Sequence, residues 1–374
     1  MTRDPRGGTA PPVGRDGIPA PAASRADSVR RRDIGLAVGV LVLVALAMLA
    51  PQVRVGSSQP PPPERAGRIV RLDPRLDLIV PRGAALEKVA SGFGWADGPV
   101  WDAARGSLLV SDIPRNSVYE WREGQGLRLF MHPSGYTGAA RFEGREPGSH
   151  GLAFDGDKRL VLCEHGDRRI ARLETDGRKT TLADRYEGKR LNSPNDLVFA
   201  ANGDLYFTDP PFGLPQGFDD PQRELPWSGV YRLTPAGQLT LLTRELRAPN
   251  GIALSPSGRT LYVSNADRGR PVWMAYDLGP GGALGDGRVF SDAGPWTRTR
   301  KGAPDGMKAD AAGHLFAAGP GGVHVFAPDG AHLGSLELDV PVSNVAWGGG
   351  GSTLYVTASS AVYRIDLTTR GLGF

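Results

Sequence analysis

Ser107-Leu108-Leu109-Val110, Arg159-Leu160-Val161-Leu162, Asp204-Leu205-Tyr206-Phe207, Thr260-Leu261-Tyr262-Val263, His314-Leu315-Phe316-Ala317 and Thr353-Leu354-Tyr355-Val356 repeat one pattern, a small or polar residue and then three apolar ones. The six copies are spaced 39 to 56 residues apart, a period that suits a blade of four strands. A second apolar strand follows each copy, at Val118-Tyr119, Ile170-Ala171, Val230-Tyr231, Val272-Trp273, Val323-His324 and Val362-Tyr363. Leu239-Thr240-Leu241-Leu242 and Ser335-Leu336-Glu337-Leu338 read as fourth strands. The last repeat has none near the carboxyl end, and Leu86-Glu87-Lys88-Val89 has the character to supply it. Joining the two ends of the chain in one sheet would close the ring and remove an exposed edge. No sustained helical period follows residue 66. The expected fold is an all-β, six-bladed β-propeller over 67–374.

Ten or eleven residues before the first Leu of each copy stand Asp97, His150, Asn195, Asn250, Asp305 and Asn344. Each leads into an innermost strand, so all six should converge on the central channel. Asn, Asp and Gly are ordinary turn formers, and that alone would explain any one position. It does not explain two carboxylates on one narrow axis, where unpaired like charges are costly. A divalent cation would relieve them. Carboxylate and amide oxygens suit a hard ion, with Ca²⁺ expected; Mg²⁺, Mn²⁺ and catalytic Zn²⁺ stay open, because side-chain oxygens accept all of them. No His/Cys cluster argues for structural Zn²⁺.

The segment ahead of the repeats has another character. Residues 1–33 are rich in Pro, Ala, Gly and Arg and have the composition of a disordered tail. Arg30-Arg31-Arg32 then precedes Ile34 to Ala50, an uncharged apolar run of 17 residues. That is the lower limit for a membrane span, and the Arg cluster sets the amino end in the cytoplasm. Ala45-Leu46-Ala47 also admits signal cleavage. Residues 34–50 are therefore expected to be a transmembrane anchor or signal segment, and 51–66 a Pro-rich linker. Either way the propeller would lie outside the inner membrane, as an anchored or exported periplasmic or cell-surface domain. The net charge of +4 comes with no basic stripe interleaved with aromatics, so no nucleic-acid partner is expected. The single Cys163 excludes an intrachain disulfide and reads as a buried small hydrophobe.

Gly98-Pro99-Val100-Trp101, Cys163-Glu164-His165-Gly166, Asn192-Ser193-Pro194-Asn195-Asp196, Phe207-Thr208-Asp209-Pro210-Pro211 and Pro304-Asp305-Gly306-Met307 resemble the gluconolactonase/regucalcin (senescence marker protein) family. The resemblance covers roughly 85–368 and is most specific from Leu182 to Gly213. It implies a six-bladed propeller that hydrolyses sugar lactones and related esters with one catalytic divalent cation. It further implies that Asp97, Asn250 and Asp305 are metal ligands, and that Asn195 binds metal, its water or the substrate. Asp97 departs from the pattern, since the family usually has Glu there. His150 is similar to the ring His of the paraoxonases, which implies a pair with His165 at the substrate.

The expected chemistry is water attack on a lactone carbonyl polarised by the cation, with Asp305 or His150 as general base. No Gly-x-Ser-x-Gly elbow is present, so no nucleophilic serine is expected. The connection from Pro210 to Trp227 is longer than its counterparts and reads as a lid that sets Phe212, with Asn195, His150 and His165, at the substrate pocket. Two alternatives share this sequence: a non-catalytic extracytoplasmic propeller binding a sugar or protein partner, and an esterase or phosphotriesterase using the same site.

Overall fold

The computed structural model describes residues 64–373; the expectations for 1–33, 34–50 and most of the linker lie outside them. Six antiparallel sheets follow one another around a central axis. Their second strands are Ser107–Asp112, Leu160–Glu164, Leu205–Asp209, Thr260–Asn265, Leu315–Gly319 and Thr353–Ala358. These are the six repeated segments, and they are buried nearly throughout because they lie in the middle of each blade. Their apolar side chains alternate between the two faces of a blade, as a strand requires, and each face packs against the neighbouring blade. Phe207 and Tyr231 stack on one such face, and Leu261, Val263 and Met274 fill another. Cys163 is fully buried there too.

The sixth blade is closed by the chain's two ends. Leu86–Ser91 is the outer neighbour of Ala361–Asp366, with Val362 opposite Ala90 and Arg364 opposite Glu87. The ring therefore has no open seam.

The amino-terminal boundary differs from the sequence reading. Glu64–Ala66, assigned to the linker, adds a fifth strand to the sixth blade, where Glu64 pairs with Lys88 at 2.6 Å. Arg68–Arg71 then adds a fifth strand to the fifth blade against Gly334 to Glu337. Between these strands and the ring, Leu76 inserts fully buried among Phe316, Leu333, Val345 and Trp347. Polar sequence hid this strap, since its strands are outermost; Leu76, Ile79 and Val80 are buried in the core, and Ala66 and Ile69 pack against it partly buried. Helix is confined among the described residues to one turn at Gly294–Thr297 and short 3-10 turns.

Candidate active site

The innermost strands build the site through a shared irregularity. In four blades the ladder between first and second strand shifts register at the ring residue, between Asp97 and Val100, Ser149 and Leu152, Pro249 and Ile252, and Val342 and Asn344. A bulge re-aims a side chain that the regular pleat would send into the blade face. Asn195 and Asp305 stand just ahead of their strands, Leu197–Phe199 and Met307–Ala309, with the same effect.

Neighbouring blades lock at these points. The Ser111 hydroxyl donates to the His150 carbonyl at 2.8 Å, and Gly151 N–H to the Asn195 carbonyl at 2.8 Å. Thr208 donates to the Asn250 carbonyl at 2.6 Å, and Gly306 N–H to the Ser343 carbonyl at 2.8 Å. Ser343 links the sixth blade back to the first by donating to the Ala96 carbonyl at 2.7 Å. The glycines after Asp97, His150, Asn250 and Asp305 allow this approach: a Cβ at Gly98 would lie 1.8 Å from the His150 oxygen, and one at Gly306 1.9 Å from Asn344 Cγ. Gly98 also has φ +47°, a value that favours glycine.

All six predicted ring residues thus stand where the innermost strands begin. Asp97, His150, Asn195, Asn250 and Asn344 are buried and Asp305 is partly so. His165 joins them from the second-to-third strand connection. Its ring stacks on His150 with centroids 3.5 Å apart and 18° between planes. Phe212 packs edge-on against Phe218 at 6.2 Å, inside the long loop. That loop borders the site through its backbone, where Gly213 abuts His165 and Ser193.

Glu146 is the residue sequence reasoning missed. It lies on the connection between Gly126–Met131 and Ser149–Phe154. Its Oε2 stands 3.1 Å from His165 Nδ1 and 3.3 Å from His150 Nε2, so it touches both rings. The available signal was the 52-residue interval between the first two repeats, whose excess falls just before His150.

Electrostatics divide the pair. Burial disfavours a charged His150, but Asp97, 3.2 Å from its Nδ1, and Glu146 outweigh it and push the pKa up to about 9. Burial and then the His150 charge pull His165 down to about 4. Burial raises the Glu146 carboxyl, yet its two His contacts hold it below the usual carboxylate range. Opposite them, burial and then Asp97 and Asp196 drive the Asp305 carboxyl well above its ordinary value. Asp196 is buried, with Lys308 Nζ at 4.0 Å.

These residues fit a divalent cation. Asp97, Asn195, Asn250 and Asp305 offer two carboxylates and two amides, an all-oxygen set, and the upward push on Asp305 marks negative charge in want of a counter-charge. Beside them, Glu146, His150 and His165 bring three ligand-type atoms within 4.8 Å of one another, a grouping the sequence did not reveal.

Fold and site together define a six-bladed propeller with Asp, Asn, His and Glu side chains gathered where its innermost strands begin. The chain belongs to the family described as SMP-30/Gluconolactonase/LRE-like region, which residues 95–360 match. It is 38% identical over 348 residues to a gluconolactonase of Zymomonas mobilis, covering 90% of this chain and 97% of that one. A solved gluconolactonase structure from Xanthomonas campestris superposes with a TM-score of 0.71 at 32% identity, over 83% of this chain and 99% of the other. The diisopropyl-fluorophosphatase of Loligo vulgaris is 25% identical over 296 residues, covering 76% of this chain and 92% of its own length.

Proposed function

We propose that the protein is a lactonase that opens a sugar lactone by attack of water, using one divalent cation held by Asp97, Asn195, Asn250 and Asp305. The observation that supports the reading is that these four side chains stand at the entries of innermost strands, with the Asp97 charge acting on Asp305 and Asn195 3.3 Å from a stacked His pair. When bound, the cation would supply a Lewis acid for the lactone carbonyl and offset the charge developing on its oxygen. The similarity to two gluconolactonases supports the lactone as substrate.

Asp305 is the base in this reading. One of its oxygens accepts the Gly306 N–H at 3.0 Å, which fixes the carboxylate and leaves the other oxygen for water. It takes a proton from the attacking water and returns it to the ring oxygen as the ester bond breaks, so no net proton is stored in the site. His150 suits this task less well, because both its nitrogens already face carboxylates, Asp97 and Glu146. It binds and orients instead. The loops carrying Glu146 and Phe212 flank the mouth and would limit the size of the lactone.

Acid release from a panel of aldonolactones, with a phosphotriester added because of the squid relative, tests the reading. Asp305→Asn should lower kcat by roughly 10²–10⁴, the contribution of a positioned general base. A variant that turns over like the parent removes Asp305 from that role. A parent protein that opens no lactone with Ca²⁺, Mg²⁺, Mn²⁺ or Zn²⁺ would leave a binding propeller. Export past the inner membrane belongs to the same proposal and rests on Arg30 to Ala50 alone; fractionation of cells expressing the whole chain tests it.

A further inference from the structure

A carboxylate can only accept hydrogen bonds, so the His165 nitrogen facing Glu146 must carry a proton. That nitrogen is Nδ1, 3.1 Å from Glu146 Oε2. In a neutral imidazole the other nitrogen then has only a lone pair to offer. The Asn195 side chain stands between the two rings, its nitrogen 3.3 Å from His150 Nδ1, which also has the Asp97 carboxylate at 3.2 Å, and 3.4 Å from His165 Nε2. His165 offers an acceptor there. It is fully buried, and a buried acceptor needs a donor. The Asn195 NH₂ group therefore turns toward His165, and the amide oxygen turns away from it, to the mouth of the channel.

From this chain of contacts we propose that Glu146 is a positioning residue: acting through His165, it sets the Asn195 amide so that oxygen, and not nitrogen, faces the cation site. The inference rests on the reading of Asp97, Asn195, Asn250 and Asp305 as cation ligands. An amide nitrogen has no lone pair for a hard cation, so a turned amide is a lost ligand. Without Glu146 the His165 proton is free to sit on Nε2, which reverses the demand on Asn195. The arrangement resembles the outer carboxylates that orient metal-site ligands in general, here with an imidazole between carboxylate and amide.

The same three groups do not make a second metal site in this geometry. The His150 and His165 rings are stacked 3.5 Å apart with planes only 18° from parallel. Their in-plane lone pairs therefore run side by side and do not meet on one ion. A carboxylate oxygen that accepts from His165 Nδ1 at 3.1 Å, with His150 Nε2 beside it at 3.3 Å, matches what is there.

The test uses the purified chain, stripped of metal and titrated with Ca²⁺, together with long-range ¹H–¹⁵N spectra of its six His. The parent should show His165 protonated on Nδ1. Glu146→Ala should move that proton to Nε2 and weaken Ca²⁺ binding at least tenfold, with the thermal midpoint little changed. Glu146→Gln, which keeps the side-chain volume, serves as the second variant and should also lose affinity. Asn195→Asp supplies oxygens on both sides, so it should improve Ca²⁺ binding at least tenfold more in the Glu146→Ala background than in the parent; such coupling marks residues acting through one network. An unmoved His165 proton with parental Ca²⁺ affinity in both Glu146 variants overturns the inference, and so do strictly additive substitutions. If the parent binds no divalent cation, the cation reading fails instead, and the proton position on His165 decides the role of Glu146.

Discussion

Gly251 follows Asn250 and supports Asp305, so adding one methyl group there tests whether contact between blades sets the site. A Cβ at Gly251 would lie 2.3 Å from the Asp305 carbonyl oxygen and 2.6 Å from Gly306 Cα. Both are backbone atoms and no rotamer can relieve the clash. An ordinary contact of about 3.4 Å requires the fourth and fifth blades to part by ~1 Å, at an overpacking cost of about 1–3 kcal/mol. The φ of Gly251 lies outside the left-handed region, so steric displacement is the whole effect. Asn250 and Asp305 sit on opposite sides of that contact, and hard-cation ligands work within a few tenths of an ångström. A ~1 Å misplacement in a site of this kind costs about 10²-fold. Gly251→Ala should therefore lose about that factor in Ca²⁺ affinity and in lactone turnover while remaining folded by circular dichroism. The control is Gly156→Ala, where a Cβ meets nothing within 4 Å and stability should move by less than about 0.5 kcal/mol. If Gly251→Ala binds Ca²⁺ and turns over like the control, the contacts between blades do not fix the ligand positions.

Two further outcomes concern stability. Leu76→Ala removes a fully buried side chain from the core between the fifth and sixth blades and should cost about 2–5 kcal/mol; an unchanged thermal midpoint would mean that the strap of residues 64–80 does not seat on the ring. His324, buried among Trp273, Trp296 and Phe326, is pulled down to about 3 by burial, with the nearby His332 adding to the effect. The unfolded chain takes up that proton first, so the contribution of His324 is complete above about pH 6.5 and shrinks below it, by ~2 kcal/mol at pH 5. Urea midpoints at pH 7 and pH 5 should fall further apart in the parent than in His324→Gln; equal differences would remove His324 as the cause.

The architecture was legible because a propeller repeats itself. Six copies of one apolar strand set a register, and counting back from it reached Asp97, His150, Asn195, Asn250, Asp305 and Asn344 with no knowledge of their geometry. Closure by Leu86–Ser91 was legible for the same reason, as a strand missing at one end and spare at the other. The two features that escaped break the period. The strap at 64–80 lies outside the ring, where a strand bonded through its backbone has no need of apolar alternation. Glu146 sits in a Gly, Pro and Arg stretch whose composition describes only a loop.

This division bears on how the site works. The ring positions are dictated by a scaffold in which every blade constrains the next, so its oxygens are held by backbone hydrogen bonds such as Gly151 N–H to Asn195 O and Gly306 N–H to Ser343 O. Backbone bonds fix where a side chain starts, yet they do not decide which end of an amide points to the axis. That choice falls to Glu146 and His165, and Glu146 comes from a connection outside the repeat, held to its blades near its ends by Ser134 N–H to Asn116 O and Gly148 N–H to Ile113 O. Position is thus a property of the repeat, whereas the orientation of Asn195 comes from an insertion. Changes in the 132–148 loop should consequently alter cation affinity while leaving the propeller intact, and that separates this loop from the Gly251 contact, where both are strained together.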